Sequence, residues 1–290
     1  MTADAKLAAI LAAVQTDPGG RGLARVPGDN LFTATAGDFQ AACRSIAEHP
    51  DPNIAIATGF FIPSSDPPAF ETDGPLGACF LERAFAVHGV PSLSVAENPV
   101  SRAILAALAS RPEYSRVRVL PYYASHTIAV ERAGSAADGK HYTMRGRDTS
   151  SQLTQASVVR HFFEDVAHVT IGIGDGGNEI GMGKIPHETI VKNIPNGDLI
   201  HCRVPTDHLI VAGVSNWGAY ALAAGVFVLR GVTPPPDLFD PETELRILEV
   251  MVKEGPLVDG VTGKQTATVD GLTWDEYAKP LIRIRDILAG

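Results

Sequence analysis

The sequence predicts an α/β fold with three layers, and three observations support this prediction. Short segments rich in Val and Ile alternate with amphipathic segments along most of the 290 residues. The short segments are apolar at consecutive positions, which is typical of strands that are covered on both faces in a parallel sheet. Hydrophobic side chains make up 45% of the chain, enough to form a substantial core, so a disordered chain is excluded.

The elements follow one another in a regular strand and helix order. The predicted strands are Asn53–Ala57, Val90–Val95, Val117–Leu120, Thr127–Val130, His168–Ile173, Leu199–Val204 and Leu209–Val214. The predicted helices are Asp38–Glu48, Leu76–His88, Pro99–Ser110, Gln155–Val166, Pro241–Glu254 and Trp274–Leu288. Several of these helices have suitable ends, such as Pro75 before one helix and Gly89 after it. Together they predict a three-layer sandwich with a mostly parallel, Rossmann-like sheet.

One segment, Leu209–Leu229, has no charged residue and is long enough to span a bilayer. Polar residues and glycines interrupt it, including Ser215 and Asn216. We interpret it as a buried strand, a turn and a helix that begins near Ser215, so no membrane partner is expected.

Two irregular stretches, Phe60–Gly77 and Ala133–Thr149, are long enough to suggest functional loops. The strand and helix alternation resumes on each side of both, so neither is interpreted as a linker. We therefore expect one domain over residues 1–290, with a possible C-terminal lobe from about Thr233.

Charge and cysteine content restrict the class of protein. The formal net charge is -9 and no dense Lys/Arg cluster is present, which argues against nucleic-acid binding. Cys43, Cys79 and Cys202 are far apart and form no CxxC pair, so neither a disulfide framework nor a zinc site is expected. The N-terminus lacks the basic start and long apolar run of a signal peptide. These features predict a cytoplasmic protein.

A glycine-rich run, Gly172–Lys184, begins within the predicted strand His168–Ile173 and contains six glycines in thirteen residues. Glycines at this density let backbone amides approach a ligand closely. The spacing matches neither the dinucleotide-binding pattern nor the P-loop. Asp175 and Glu179 within the run would also repel a pyrophosphate, so the run predicts a ligand-binding loop without a nucleotide cofactor.

Polar residues stand at the carboxyl ends of several predicted strands, the edge at which open α/β sheets bind ligands. They are Thr58-Gly59, Glu131, Asp175 and Ser215-Asn216-Trp217. Glu71 and Asp73 end the first irregular stretch, where Asp73 taken alone would be interpreted as the cap of the helix that follows Pro75. In combination these residues predict one site.

The run Gly174–Lys184 resembles the signature of the D-glutamate cyclase family, and further segments resemble that family in the same order. They are Pro18–Gly22, Thr58–Phe60, Glu71–Pro75, Glu131–Gly134, Ala137–Gly139, Ala212–Gly218 and Val269–Leu272. The resemblance is to the C-terminal, catalytic-type domain of the long mitochondrial form, and we expect a stand-alone version of that domain. It implies a hydro-lyase that closes D-glutamate into 5-oxo-D-proline with loss of water and without ATP. A homodimer is an open option.

For this reaction we predict three groups of site residues. The catalytic group is Glu131, Asp73 and Asp175, with Glu131 as general base or acid. A divalent cation, Mg²⁺ or Mn²⁺, is expected to polarise the substrate γ-carboxylate, with ligands drawn from Glu71, Asp73, Asp175 and Glu179. The substrate-binding group is Gly176, Gly177, Asn178, Arg132, Ser215 and Asn216.

Two other functions remain open at this point. One is metal-dependent hydrolysis of a small phosphate or amide substrate, which a glycine-rich loop with acids would serve equally well. The other is a non-catalytic module that binds a small acid.

Overall fold

The computed structural model of the protein describes residues 1–114, 124–164 and 166–290. These residues form a five-stranded parallel sheet flanked by helices, which confirms the predicted three-layer, Rossmann-like α/β fold. The predicted strand Val117–Leu120 lies outside the described residues. The strands of the sheet are β1 (Ile54–Gly59), β4 (Ser92–Val95), β5 (His126–Arg132), β6 (Val169–Gly174) and β7 (His208–Val211), and a separate antiparallel pair consists of β2 (Phe61–Ile62) and β3 (Ala69–Phe70).

The α-helices of the described residues are numbered along the chain. They are α1 (Ala3–Val14), α2 (Leu31–Ala34), α3 (Asp38–Ala47), α4 (Pro75–Val87), α5 (Asn98–Ala109), α6 (Ala156–His161), α7 (His187–Asn193), α8 (Gly197–Ile200), α9 (Ser215–Arg230), α10 (Pro241–Glu254), α11 (Trp274–Tyr277) and α12 (Lys279–Ala289). Short 3-10 turns lie at Pro112–Tyr114 and Ser150–Gln152. Most predicted helices are therefore confirmed to within one or two residues at each end.

The strand order is β4–β1–β5–β6–β7. After β1 the chain moves to one side of the sheet to form β4, and it then returns to the other side to form β5. Because the connections that follow β1 and β5 lead in opposite directions, a crevice opens at their carboxyl ends. This is the position at which open α/β sheets bind ligands.

Alternation along the strands divides the interior into two cores, one on each face of the sheet. Ile56 and Ile128 point into a large cluster that includes side chains of α4 and α9. Their neighbours Ala57 and Ala129 point into a second cluster that includes side chains of α7 and α8. Every residue of β1 and β5 is buried, which explains why these strands are apolar at consecutive positions.

The uncharged segment Leu209–Leu229 folds as the predicted buried strand, turn and helix. Its first part contributes to β7, and α9 then begins at Ser215 and is buried from there to Phe227. The helix packs against α1, α3 and α4, so its apolar faces are covered by protein. Within the described ranges, no helix is long and apolar enough to cross a membrane.

The predicted strand Leu199–Val204 is wrong. Its first residues lie in the one-turn helix α8, and the rest runs irregularly beneath the glycine-rich loop. There Cys202 N donates to Gly177 O at 3.0 Å and Arg203 N donates to Ser135 O at 2.7 Å. These backbone groups already form hydrogen bonds with two loops, so they cannot pair with a neighbouring strand. The apolar residues of the segment therefore do not form a strand.

One predicted helix is too long, and another is divided in two. The helix expected over Gln155–Val166 ends at His161. The helix expected over Trp274–Leu288 breaks after Tyr277, because Pro280 lacks an N–H group and starts a new helix within its first turn. Leu281 of this last helix lies in the same buried cluster as Leu7. One domain with a C-terminal lobe stays a prediction.

Candidate active site

A cavity of about 320 Å³ opens at the carboxyl ends of β1, β5 and β6, a volume suited to a small molecule. Of the residues that the structure describes, six carboxylates from distant parts of the chain line it. They are Glu71, Asp73, Glu131, Asp175, Glu179 and Asp270. All six of these residues are buried. Three arginines, Arg21, Arg145 and Arg147, also line the cavity.

Glu131 reaches the cavity because β5 has a bulge at this residue. Thr58 of β1 pairs with Val130 and Gly59 pairs with Arg132, so Glu131 is the extra residue between them. Its φ angle is 43°, a left-handed conformation that is unfavourable for Glu. A bulge beside a site commonly re-aims one side chain, and strain of this kind persists only where the surroundings enforce it.

The surroundings of Glu131 leave little freedom. Ser215 Oγ donates a hydrogen bond to Glu131 Oε2 at 2.5 Å. Gly74 packs against the other side, where a Cβ atom would lie 2.7 Å from the Cβ atom of Glu131. Gly74 also has a φ angle of 93°, so only glycine suits this position. The carboxylate is therefore held in one place before any ligand binds.

Asp73 and Asn216 cap each other's helices. The Asp73 carboxylate accepts hydrogen bonds from the backbone N–H groups of Ser215 at 2.9 Å and Asn216 at 2.8 Å, at the start of α9. In return, Asn216 Oδ1 accepts from the N–H groups of Gly74 at 2.8 Å and Gly77 at 2.7 Å, at the start of α4. This exchange fixes the loop that carries Glu71 and Asp73 against α9.

The glycine-rich loop is stabilised by its own acid. Glu179 accepts hydrogen bonds from Asp175 N at 3.1 Å and Gly177 N at 2.8 Å. Asn178 Nδ2 donates to Tyr142 O at 2.7 Å. Asn178 Oδ1 is buried and has no hydrogen-bond partner among the described residues, and Asn178 lines the cavity. A buried amide oxygen without a donor is suited to accept a hydrogen bond from a ligand.

Arg21 and Asp270 were not singled out as site residues from the sequence. Arg21 Nη1 lies 3.2 Å from Asp175 Oδ2, and Arg21 Nη2 lies 2.9 Å from Asp270 Oδ1. Arg21 Nη1 also donates to Gly213 O at 3.1 Å. Both residues fall in segments that carry the family resemblance, Pro18–Gly22 and Val269–Leu272, and that was the available signal.

Burial raises the pKa of most of these carboxyl groups. It is the largest cause for Glu71, Glu131 and Asp175, whose pKa values are well above their usual range. For Glu131 the negative charges of Asp175 and Glu179 raise the pKa further. Burial and the charge of Asp270 raise the pKa of Asp73 to about 7. The cavity therefore favours protonated acids or a bound positive charge.

Two groups of carboxylates have oxygens close enough together to hold a cation. Asp73, Asp175 and Asp270 form one group, and Glu131, Asp175 and Glu179 form the other, with ligand atoms within 4.8 Å of one another in each. Among the described residues, the buried Oδ2 atom of Asp270 has no hydrogen-bond partner, and the buried Oδ2 atom of Asp175 has the ion pair with Arg21 but no hydrogen bond. Oxygen donors of this kind suit Mg²⁺ or Mn²⁺. Glu71 belongs to neither group.

The other predicted site residues lie around the cavity without lining it. Ser215 bonds Glu131, Asn216 caps α4, and Gly177 N bonds Glu179. Gly176 lies in the glycine-rich loop between Asp175 and Gly177. Arg132 points away: its Nη2 donates to Glu97 Oε1 at 2.9 Å and its Nη1 to Thr58 O at 3.2 Å. A role for Arg132 in substrate binding stays a prediction that this placement does not favour.

Comparison with known proteins gives two findings. A protein-family model described as D-glutamate cyclase-like, C-terminal, matches residues 10–285. The chain is also 29% identical over 260 residues to a human protein named D-glutamate cyclase, mitochondrial. That alignment covers 79% of this chain and 40% of the human protein, so the chain spans about two fifths of the relative's length.

Proposed function

The chain belongs to the D-glutamate cyclase-like, C-terminal family, and from this premise we propose that it is a lyase that converts D-glutamate into 5-oxo-D-proline and water. The observation that carries the proposal is the convergence of six buried carboxylates on one cavity at the switch point of the sheet. Such a cavity suits a reaction in which protons move between an amine and a carboxylate.

The reaction needs no co-reactant. The α-ammonium group loses two protons and its nitrogen forms a bond to the carboxyl carbon of the γ-carboxylate. The bond from that carbon to one of its oxygens breaks, and this oxygen leaves with the two protons as water. Because the amine and the γ-carboxylate belong to one molecule, holding the substrate folded replaces a bimolecular encounter. The enzyme must therefore bend the substrate, accept a proton from nitrogen and deliver protons to oxygen.

Glu131 is the proposed proton carrier. Burial and the neighbouring negative charges raise the pKa of this carboxyl group well above its usual range. A general base or acid is most effective when its pKa lies near the working pH, which is above the usual range of a carboxyl group. Ser215 holds the carboxylate in position. Glu131 takes the first ammonium proton and returns it to the departing oxygen.

We assign the transfer of the second proton to Asp73. The negative charge of Asp175 is proposed to stabilise positive charge in the cavity. A pKa of about 7 lets Asp73 be protonated or ionised at neutral pH, so it can pass the second proton from nitrogen to the leaving hydroxyl. Asn178 Oδ1 is positioned to accept a hydrogen bond from the substrate amine. Ser215 and Asn216 serve as positioning residues for Glu131 and Asp73.

A divalent cation fits the same acids. Its ligands would come from Asp73, Asp175 and Asp270, or from Glu131, Asp175 and Glu179. When bound, the cation would supply Lewis-acid polarisation of the γ-carboxylate.

The test is a proton NMR time course of the purified chain with D-glutamate, L-glutamate or a panel of phosphate esters and amides. Each is measured after EDTA treatment and after addition of Mg²⁺ or Mn²⁺. We expect D-glutamate to disappear and 5-oxo-D-proline to appear in equal amount, with a smaller rate for L-glutamate.

Other outcomes separate the alternatives. Loss of a phosphate ester or amide instead of D-glutamate would identify a hydrolase. Binding of 5-oxo-D-proline in calorimetry without turnover of any compound would identify a binding module. Either result would overturn the proposed lyase activity. Dependence of the rate on added metal ion would support the cation site.

A further inference from the structure

The charge of the cavity poses a problem for a substrate with two carboxylates. Six acids line the cavity, and like charges repel a dicarboxylate. Arg21 does not offset this repulsion, because its guanidinium already pairs with Asp175 and Asp270 and donates to the Gly213 carbonyl. Within the described ranges, the remaining cationic side chains of the lining are those of Arg145 and Arg147.

Both residues lie on one tight hairpin of the second irregular stretch. Tyr142 pairs with Asp148 across its base. Thr143 N donates to Arg147 O at 2.9 Å, and Gly146 N donates to Thr143 O at 2.8 Å. The hairpin therefore turns over Thr143–Gly146, which places Arg145 within the turn and Arg147 directly after it.

The hairpin is held in place by hydrogen bonds from outside it. Asn178 of the glycine-rich loop donates to Tyr142 O at 2.7 Å, and Asn196 Nδ2 donates to Met144 O at 2.9 Å. Met144 also packs against the loop, since a Cβ atom on Gly176 would lie 3.0 Å from its sulfur. The two arginines are thus carried by a backbone that is fixed relative to the acids, which lowers the cost of ordering them around a ligand.

The guanidinium groups of Arg145 and Arg147 are available to bind a ligand. In the part of the chain that the structure describes, neither side chain makes an ion pair, in contrast to Arg21 and Arg132. Arg145 and Arg147 are also exposed to solvent, whereas the six acids are buried. The cavity therefore has an acidic interior and a cationic rim.

We propose that Arg145 and Arg147 bind the α-carboxylate of D-glutamate at this rim and keep it there in the product. The inference rests on the proposed function. The amine and the γ-carboxylate must lie near Glu131 to react, so the α-carboxylate, which takes no part in bond formation, is the group left to face outward. Arginine suits this task because its planar fork can bind a carboxylate with two parallel hydrogen bonds.

This arrangement predicts which kinetic constant changes. The α-carboxylate is present in substrate, transition state and product, so the two arginines bind all three alike. Uniform binding of that kind affects KM and product affinity but leaves kcat nearly unchanged. A structural role for the hairpin would instead lower kcat through Asn178 and the glycine-rich loop.

The experiment compares R145Q, R147Q and the double variant with wild type, and R285Q on α12 serves as the matched control outside the cavity. Calorimetry uses two ligands, the product 5-oxo-D-proline and its neutral analogue 5-oxo-D-prolinamide. For 5-oxo-D-proline we expect each single variant to weaken Kd about tenfold, and the double variant to weaken it further. For the amide we expect changes below about threefold, because no charge is lost. KM for D-glutamate should follow the Kd of 5-oxo-D-proline, with kcat within about threefold of wild type.

The outcomes are distinguishable from those of the proposed function. If wild type binds 5-oxo-D-proline but does not convert D-glutamate, and the variants lose that binding, the activity fails and the carboxylate anchor stands. Equal binding of 5-oxo-D-proline by wild type and the double variant overturns the anchor alone. Equal losses for acid and amide also overturn it, because the arginines would then not recognise charge. If wild type binds neither 5-oxo-D-proline nor D-glutamate, both proposals are overturned.

Discussion

Glu131→Gln is expected to lower kcat for cyclisation of D-glutamate about a thousandfold, within the range found for removal of a general acid or base. The amide has nearly the same shape as the carboxylate and still accepts a hydrogen bond from Ser215, but it cannot take a proton from the substrate amine. KM should change little, because Arg145, Arg147 and the other acids of the cavity, which contact the substrate, are unchanged. Steady-state kinetics with D-glutamate measures both constants.

Ser215→Ala is the matched comparison for this variant. It removes the hydroxyl that donates to Glu131 at 2.5 Å and leaves the carboxylate itself in place. We expect a smaller loss, about tenfold in kcat, since a positioned group is loosened and none is removed from the chemistry. If E131Q retains more activity than S215A, Glu131 is not the proton carrier.

Asn216→Ala is expected to lower the free energy of unfolding by about 2 kcal/mol, because one buried amide loses its acceptor and a second keeps only its bond to Asp73 Oδ1 at 3.0 Å. The amides belong to Gly74 and Gly77, and Asn216 itself is fully buried, so water does not replace the lost acceptor. The loop that carries Asp73 should also loosen, which lowers activity in the folded protein. Urea unfolding followed by circular dichroism gives the stability, and kinetics below the transition gives the activity.

Asp240→Ala provides the control for helix capping in general. Asp240 caps α10, accepting a hydrogen bond from Thr243 N at 2.9 Å, and it does not line the cavity. Loss of this single, partly exposed cap should cost about 1 kcal/mol and leave activity intact. The reciprocal-cap interpretation is contradicted if N216A is no less stable than D240A, or if both retain full activity.

Much of the fold could be predicted because its signals are local. Consecutive apolar residues predicted β1, β5 and β6. Because Glu131 and Asp175 lie at the carboxyl ends of two of these strands, the sequence also predicted that they lie at one edge of the sheet. The same local reasoning failed at Leu199–Val204, where an apolar segment is buried beneath a loop and forms no strand. An apolar composition indicates that a segment is buried. It does not indicate whether the backbone N–H and C=O groups of that segment are hydrogen-bonded to a strand or to loops.

The parts of the site that were missed depend on contacts between distant residues. Asp73 was predicted as a catalytic and metal-binding residue, but the sequence did not indicate that its carboxylate also caps α9 or that Asn216 caps the helix after Asp73. The bulge at Glu131 depends on the register between β5 and β1. The position of Arg21 between Asp175 and Asp270 likewise follows only from the tertiary fold. No local sequence pattern encodes these pairings.

A crystal structure of the protein with 5-oxo-D-proline tests the central claim most directly. The account predicts that the ligand occupies the cavity of about 320 Å³, with its lactam nitrogen beside Glu131 and its carboxylate toward Arg145 and Arg147. The contradicting result is a ligand that binds elsewhere, for example in a separate cavity lined by Arg132 and His141, and not in the acid-lined cavity.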